Sequence, residues 1–280
     1  MDFIKSLFIH YAQLLWLLLV LPFVFGLLLY MFSRGTRKLF ADAKIPAVDI
    51  YLTGWIGVPL HELGHALFCI IFYHKITDIK LFKPDKDGTL GYVTHSYDSK
   101  NWYQAVGNFF IGCAPLIFGA LMLYFVMILF FSGTFGTHSI TQLVPLQKDS
   151  SFLSFVTAMW HFFKLSFLGF WQFIKHLNFS SWQFWVFAYI TLAISSHMHL
   201  SLPDVRTMLR GLLILCVVLL LGMLAAEVWN FSAVAWLATS RIMNYLYALL
   251  LFAIGVSLVN WVFTFVITTL VRIVRGVAGK

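Results

Sequence analysis

Charged side chains are scarce in this sequence of 280 residues. Asp, Glu, Lys and Arg together make up 11% of it, whereas hydrophobic residues make up 61%. Because soluble globular domains are about one-quarter charged, this shortage excludes an ordinary water-soluble protein. The mean hydropathy of +0.87 and the 30 phenylalanines indicate instead a chain that lies largely in a lipid bilayer.

Acidic residues are the scarcer charge type: 11 Asp and Glu stand against 19 Lys and Arg, for a net charge of +8. A basic chain can bind nucleic acid, but here the Lys and Arg residues cluster in short segments beside apolar runs. Such clusters set the orientation of membrane spans. We therefore expect the lipid bilayer, and no nucleic acid, as a partner.

Cysteine is also rare. Cys69, Cys113 and Cys216 each stand alone in an apolar run, and no two cysteines have the spacing C-x-x-C. This excludes a disulfide framework and a dithiol redox motif. We interpret the three cysteines as small packing residues.

Six apolar stretches reach the ~20 residues that a membrane-spanning helix requires. The first lacks a small-residue cleavage site, so we interpret it as a retained span and not as a signal peptide. The sequence thus predicts an all-α polytopic membrane protein with about six transmembrane helices, forming a single domain over residues 1–280. The stretches are 7–32, 48–73, 105–131, 182–200, 205–229 and 242–271.

The stretch 152–176 does not fit this pattern, because it is rich in aromatic residues but also contains His161, Lys164 and Lys175. It can be an amphipathic helix in the membrane interface, a re-entrant segment or a seventh span. We favour the interfacial or re-entrant form.

A polar segment, 74–104, follows the second apolar stretch. Its parts 76–82 and 89–97 are rich in β-branched and aromatic residues, and PDKDG at 84–88 is typical of a turn. The sequence therefore predicts a β-hairpin over about 76–97, directly after the second span. An ordinary polar loop is the alternative.

The second stretch contains HELGH at positions 61–65, which matches the pattern H-E-x-x-H. Residues four apart share a helix face, so His61 and His65 can bind one metal ion. Glu62 would lie beside that ion, where its carboxylate can accept a proton from a water molecule. Gly64 permits close approach of another backbone. Ionisable groups in a bilayer are costly unless paired or metal-bound, which favours a metal site over a buried His–Glu cluster.

Catalytic zinc usually takes three protein ligands and leaves one position for water. Asp204 is the best candidate for the third ligand, because it follows Pro203 at or near the N-cap of the fifth stretch. Glu227, near the end of the same stretch, is a rival. His197 and His199 point the same way in an extended segment, and can support the ligands, replace one or contact substrate.

Three motifs resemble those of the site-2 protease family of intramembrane zinc metalloproteases. HELGH at 61–65 lies within a span, as in that family. GCAPL at 112–116 is similar to the family's small-residue Gly-Pro element, and LPD at 202–204 is similar to the element whose Asp is the third zinc ligand. Many members also have a membrane-associated β-structure after the zinc-binding helix. The likeness covers about residues 48–229.

This resemblance implies an intramembrane zinc metalloendopeptidase in which His61, His65 and Asp204 bind Zn²⁺ and Glu62 is the catalytic base. The substrates would be single-span membrane proteins or signal-peptide remnants, cut in or near the membrane. A membrane regulatory partner and a multi-pass location in the bacterial inner membrane are also expected.

Three positions depart from the family pattern. Val205 stands where Gly usually follows the Asp, Ala114 replaces the Gly before Pro115, and Phe118 stands where many members have Asn. Two other functions compete: a catalytically silent protein that binds partner helices, and a transporter with a zinc-binding span. The intact H-E-x-x-H argues against the first, and the lack of repeated broken helices argues against the second.

Basic residues occur on both sides of the second stretch, in 33–45 and in 74–104. A single crossing span would place these segments on opposite sides of the membrane, although positive charge favours the cytosol for both. We expect the hairpin on the cytosolic side, because the family places its metal site near that side.

Overall fold

The structure is a computed structural model that describes residues 2–85, 88–135, 152–175, 177–229 and 231–278. Most of these residues are helical. The elements are α1 (Asp2–Leu15), a π-helical turn (Trp16–Val20), α2 (Leu21–Asp42), α3 (Pro46–Asp49), a second π-helical turn (Ile50–Gly54), α4 (Trp55–Ile71), β1 (Lys75–Lys80), β2 (Tyr92–Ser96), α5 (Trp102–Phe135), α6 (Phe152–Lys175), α7 (Trp182–His197), α8 (Leu202–Val228), α9 (Ala233–Thr239) and α10 (Arg241–Ala278).

Five helical segments among the described residues are long and apolar enough to cross a membrane. They coincide with five of the six predicted stretches, so the prediction of a helical membrane protein is confirmed. The remaining stretch forms α7, whose 16 residues extend only about 24 Å, less than the hydrocarbon core of a bilayer. A count of six spans is therefore not confirmed. The five segments are Phe3–Asp42, Pro46–Ile71, Trp102–Phe131, Leu202–Val228 and Ile242–Arg275.

The first span is longer than predicted. Its helix continues through a π-helical turn and past residue 32 as far as Asp42. Most of the basic segment 33–45 is therefore the end of α2 and not a loop. Arg272 and Arg275, near the end of α10, contact the same region: Arg272 lies 3.8 Å from Asp42, and Arg275 donates a hydrogen bond to the carbonyl of Ala43. The ends of α2 and α10 thus form one basic end of the molecule.

The ambiguous stretch 152–176 forms α6, a helix of 24 residues. An unbroken helix contains no re-entrant turn, so the re-entrant form is excluded over the described residues, and an interfacial position stays a prediction. Phe162 and Phe163 attach α6 to the helical bundle, with ring centroids 6.1 Å from Tyr247 and 6.3 Å from Phe25.

The predicted hairpin is present, with shorter strands than expected. β1 and β2 are antiparallel, with a register shift between Ile76 and Asp78, and part of the turn (86–87) lies outside the described residues. The hairpin folds back along α4. Its Phe82 ring lies 3.4 Å from the position of a Cβ on Gly54, just before α4, and Gly91 packs against Val58.

The course of the hairpin brings part of the polar segment 74–104 close to the basic segment 33–45. The base of the hairpin lies at the end of α4, but its tip returns to the beginning of α4, about 26 Å away along the 17 residues of that helix. Arg37 of α2 and residues 88–93 accordingly line the same cavity. Residues 88–93 of the hairpin and Arg37, near the end of α2, therefore lie beside the same cavity.

The core lies where α5 and α7 meet α2 and α10. Leu29, Leu116, Leu123 and Leu250 are among its most deeply buried side chains. In a bilayer, helices associate mainly through close packing and not through the hydrophobic effect. The relative positions of the helices that hold the site thus depend on small residues at their contacts.

Candidate metal centre

Three side chains from two helices converge beside the hairpin. His61 and His65 lie on one face of α4, and their Nε2 atoms are 3.2 Å apart. Asp204, near the beginning of α8, places its carboxylate oxygens 3.1 Å from His65 Nε2 and 3.6 Å from His61 Nε2. The donor atoms all lie within 4.8 Å of one another, and the structure brings the three predicted ligands together.

Backbone carbonyls orient both imidazole rings. His61 Nδ1 lies 2.7 Å from the carbonyl oxygen of His197, and His65 Nδ1 lies 2.8 Å from that of Ile111. Since a carbonyl only accepts hydrogen bonds, both Nδ1 atoms must carry the proton. In the neutral rings the Nε2 lone pairs then face each other and Asp204, which is the arrangement that metal-binding histidines adopt.

Neither carbonyl is needed by a hydrogen bond within its own helix, and in each case the reason is local. Ile111 is four residues before Pro115 within α5, and a proline has no N–H to donate to that carbonyl. His197 is the last residue of α7, where carbonyls have no partner in the helix. Pro115 therefore leaves the Ile111 carbonyl available to orient the ring of His65, and the end of α7 leaves the His197 carbonyl available to orient the ring of His61.

We expect Pro115→Ala to weaken zinc binding by about tenfold, the lower part of the range for partners of metal ligands. The alanine that replaces Pro115 would donate its N–H to the Ile111 carbonyl and compete with His65. Zinc affinity can be measured by competition with a chromophoric chelator. Pro22→Ala is the matched control, because Pro22 lies in α2 and does not line the cavity. Equal affinity in both variants would contradict this role of Pro115.

A capping box holds Asp204. The Ser201 side chain accepts a hydrogen bond from the Asp204 N–H at 3.3 Å, and Asp204 Oδ2 accepts one from the Ser201 N–H at 2.7 Å. Pro203 occupies the first turn, where a missing N–H costs nothing. The sequence placed Asp204 at or near the N-cap of this helix. The N-cap itself is Ser201, and Asp204 lies three residues later, where the capping box fixes the carboxylate of this candidate ligand.

Two glycines allow the elements to approach. A Cβ on Gly112 of α5 would lie 2.5 Å from the carbonyl oxygen of Asp204, and one on Gly57 of α4 would lie 2.4 Å from that of Ala193 in α7. Larger residues would push α8 and α7 away from the site. Gly64 behaves as predicted, since its Cβ position is 3.3 Å from the Ala114 carbonyl oxygen.

The donor set fits a tetrahedral metal ion. Nitrogen and oxygen atoms about 2.0–2.1 Å from zinc lie about 3.3 Å from one another, close to the 3.1, 3.2 and 3.6 Å found here. Two lone pairs and a carboxylate at these distances repel one another unless a positive charge lies among them. The buried cluster of His61, His65 and Asp204 is therefore suited to a divalent cation.

A cavity of about 510 Å³ opens beside these ligands. Glu62 lines it together with the three candidate ligands and is only 7% exposed, so protein atoms cover most of the residue. The opposite wall is the hairpin, residues 88–93 and His95. Arg37 also lines the cavity, and its Nε lies 3.6 Å from the Asp49 carboxylate.

Glu227, the rival ligand, lies elsewhere. Its carboxylate contacts His10 of α1. Along α8, 23 residues separate it from Asp204, a distance of about 35 Å. Glu227 is therefore excluded from this centre and instead links α8 to α1.

His197 and His199 both line the cavity, but the extended segment predicted for them is wrong: His197 ends α7, and Met198 has helical backbone angles. Their side chains do not replace a ligand: His197 supports His61 through its backbone carbonyl, and the His199 ring centroid is 6.1 Å from that of His61. His197 Nε2 and His199 Nδ1 are buried without a hydrogen-bond partner among the described residues.

Sequence reasoning missed two histidines at the base of the hairpin. His74 Nδ1 lies 2.9 Å from His95 Nδ1, and His74 Nε2 lies 2.8 Å from the Gln104 carbonyl oxygen. Burial, and to a lesser extent the neighbouring His74, His65 and Arg210, lower the pKa of His95 to about 4. Burial also lowers the pKa of His74. In the sequence, only the alternation of side-chain directions along the predicted strand could have shown that His95 and Val93 lie on the same face of β2.

Comparisons with protein-family models, curated proteins and solved structures yield no match to this chain.

Proposed function

We propose that the chain is an intramembrane zinc metalloendopeptidase of the site-2 protease type. One observation carries the proposal: His61, His65 and Asp204 direct their donor atoms to one point beside Glu62, in a cavity between apolar helices. The proposed substrates are single-span membrane proteins or signal-peptide remnants, cut in or near the membrane. A membrane regulatory partner is part of the same proposal.

The residues have separate roles. His61, His65 and Asp204 hold the metal ion, while the carbonyls of His197 and Ile111 keep both rings oriented. When bound there, zinc supplies Lewis acidity, which makes a water molecule easier to deprotonate and polarises the scissile carbonyl.

Glu62 lies beside the ligands and does not bind the metal. Its carboxylate accepts the proton of the attacking water and then delivers it to the leaving amine nitrogen. The low exposure of Glu62 keeps bulk water from competing for this proton. The burial of Glu62 among protein atoms also strengthens its electrostatic interactions with the reacting groups.

The basic end of the molecule supports a cytosolic opening for the site. Arg37 lines the cavity, and the end of α10 contacts the end of α2. Lys and Arg beside spans favour the cytosolic side of a membrane. The proposed location is the bacterial inner membrane. The basic residues at this end are Arg34, Arg37, Lys38, Lys44, Arg272 and Arg275.

A peptide must leave its helix before it can be cut, because helical carbonyls are shielded and already hydrogen-bonded. The hairpin supplies an extended partner, since residues 88–93 line the cavity opposite the metal ligands. We propose that an unwound substrate pairs with this part of the hairpin by strand addition.

We expect Leu90→Pro to reduce cleavage of a single-span peptide by about tenfold or more while zinc content stays unchanged, since the loss of one backbone hydrogen bond to the bound peptide costs about 1–3 kcal/mol. Leu90 lines the cavity, and its N–H has no hydrogen-bond acceptor among the described residues, whereas its carbonyl accepts from Lys83. Leu90→Ala is the control, because it shortens the side chain and keeps the N–H. Equal cleavage by both variants would argue against strand addition here.

Metal removal tests the function directly. The purified chain is placed in liposomes with a single-span peptide whose helix contains Gly and Pro near one end, and the products are identified by mass spectrometry. We expect cleavage to stop on treatment with 1,10-phenanthroline and to return when zinc is added. Cleavage that persists in the metal-free protein would refute the proposal, and zinc binding without any cleavage would favour a catalytically silent helix-binding protein.

A further inference from the structure

Two histidines of the hairpin region form a chain of hydrogen bonds that ends at the metal cavity. His74 follows α4, and His95 lies on β2. Neither is a metal ligand. His74 bridges His95 and the Gln104 carbonyl, and its ring stacks on that of Tyr97 with centroids 4.9 Å apart. These contacts hold both imidazoles in place.

The hydrogen bonds of His74 and His95 determine which ring nitrogens carry a proton. The Gln104 carbonyl can only accept, so His74 Nε2 carries a proton and donates it. In a neutral ring His74 Nδ1 is then an acceptor, and the proton shared with His95 must belong to His95 Nδ1. His95 Nε2 is left with a free lone pair. The lowered pKa values of both residues agree with neutral rings near pH 7.

That lone pair is available to the cavity. His95 lines the cavity together with Val93, two residues before it on the same face of β2. The only hydrogen bond of the His95 ring to a described residue is the one to His74, and Nε2 is not among the fully buried atoms that lack a partner. An accessible acceptor thus stands between the hairpin and the metal ligands.

An unwound peptide in this cavity needs such an acceptor. When a helix opens, its N–H groups lose their carbonyl partners, and an unpaired N–H away from water costs about 1–3 kcal/mol. In a strand, successive N–H groups point in opposite directions, so a peptide paired with the hairpin leaves some of them facing away from it.

We propose that His95 is a substrate-binding residue, whose Nε2 accepts a hydrogen bond from a backbone N–H of the unwound peptide beside the scissile bond. His74 is a positioning residue that fixes the tautomer of His95. The inference rests on the proposed peptidase function and assigns to it a residue outside H-E-x-x-H and the third ligand.

The test compares three variants in liposomes with the single-span peptide described above. His95→Phe keeps a ring without an acceptor, and His95→Gln keeps an acceptor oxygen on a chain of similar reach. His161→Phe is the matched control, because His161 is exposed on α6. We expect His95→Phe to raise KM about tenfold or more with kcat and zinc content unchanged, as for an interaction made equally in the ground and transition states. His95→Gln should restore KM to within a few-fold of the original chain.

Equal KM values for His95→Phe and the original chain would overturn the inference, as would equal losses in His95→Phe and His95→Gln. A measurement without turnover separates this inference from the proposed function. In the zinc-bound chain labelled with ¹⁵N-histidine, His95 Nε2 should have the chemical shift of an unprotonated nitrogen, and it should move when the peptide binds to the Glu62→Gln variant. A protonated Nε2 would refute the inference even if the chain cleaves peptides, whereas absence of cleavage by the original chain would refute the function.

Discussion

Glu62→Gln is expected to abolish cleavage and leave the metal in place. Glutamine has the size of glutamate and fills the same position beside His61 and His65, but it cannot accept a proton from water at neutral pH. General-base catalysis contributes about 10²–10⁴-fold to such reactions, so kcat should fall by that factor. Because Glu62 does not bind the metal in this arrangement, zinc content should equal that of the original chain, and substrate should accumulate in complex with the variant.

The protein offers one matched control for Glu62→Gln. Glu227→Gln is the same substitution at the only other glutamate, which lies at the far end of α8 in contact with His10. Metal analysis and peptide cleavage on both variants separate loss of the base from a general effect of replacing a partly buried glutamate by glutamine. Full activity of Glu62→Gln would remove the peptidase function and favour a protein that only binds helices.

Asp204→Asn should release the metal. Asparagine can still accept the hydrogen bond from the Ser201 N–H, so the beginning of α8 stays capped. It lacks the negative charge that balances a divalent ion, and only His61 and His65 remain as strong ligands. Changes in groups that merely support ligands cost about 10–100-fold in affinity, so we expect the loss of a ligand to exceed about 100-fold.

Zinc bound after dialysis against a chelator measures this effect, and circular dichroism verifies that the helices persist. Glu227→Gln should keep its zinc, because Glu227 lies about 35 Å from the site along α8. If Asp204→Asn kept its zinc and Glu227→Gln lost it, the assignment of the third ligand would be wrong. Loss of zinc in Asp204→Asn alone would favour Asp204 over Glu227, one of the alternatives that the sequence left open.

Two parts of the centre follow from local sequence. The spacing of His61 and His65 places them on one helix face whatever surrounds the helix, because the period of an α-helix is 3.6 residues. Pro203 and Asp204 form the first turn of α8, and Ser201 caps it, because these residue types satisfy the free N–H groups at a helix start. The hairpin was also predicted from its composition, although its strands are shorter than expected.

The sequence was less informative about the helices whose ends depend on contacts with distant parts of the chain. The apolar stretch 182–200 has a suitable composition for a span, yet its helix ends at His197, and that end supplies the carbonyl that orients His61. Composition also allowed a re-entrant form for 152–176, whereas the structure has one unbroken helix there. Hydropathy describes how a segment interacts with lipid, but it does not determine where its helix ends against other helices.

By itself, the sequence determined that the chain is a helical membrane protein, that His61 and His65 share a helix face, and that Asp204 stands at a helix start. These properties depend on residues near one another in the chain. Only the tertiary structure decided that Asp204 and not Glu227 meets the two histidines, that the hairpin folds back to form the opposite wall of the cavity, and that His95 joins the site. Those outcomes depend on how closely the helices approach one another. Close contacts between residues far apart in the sequence, such as those at Gly57 and Gly112, determine that distance.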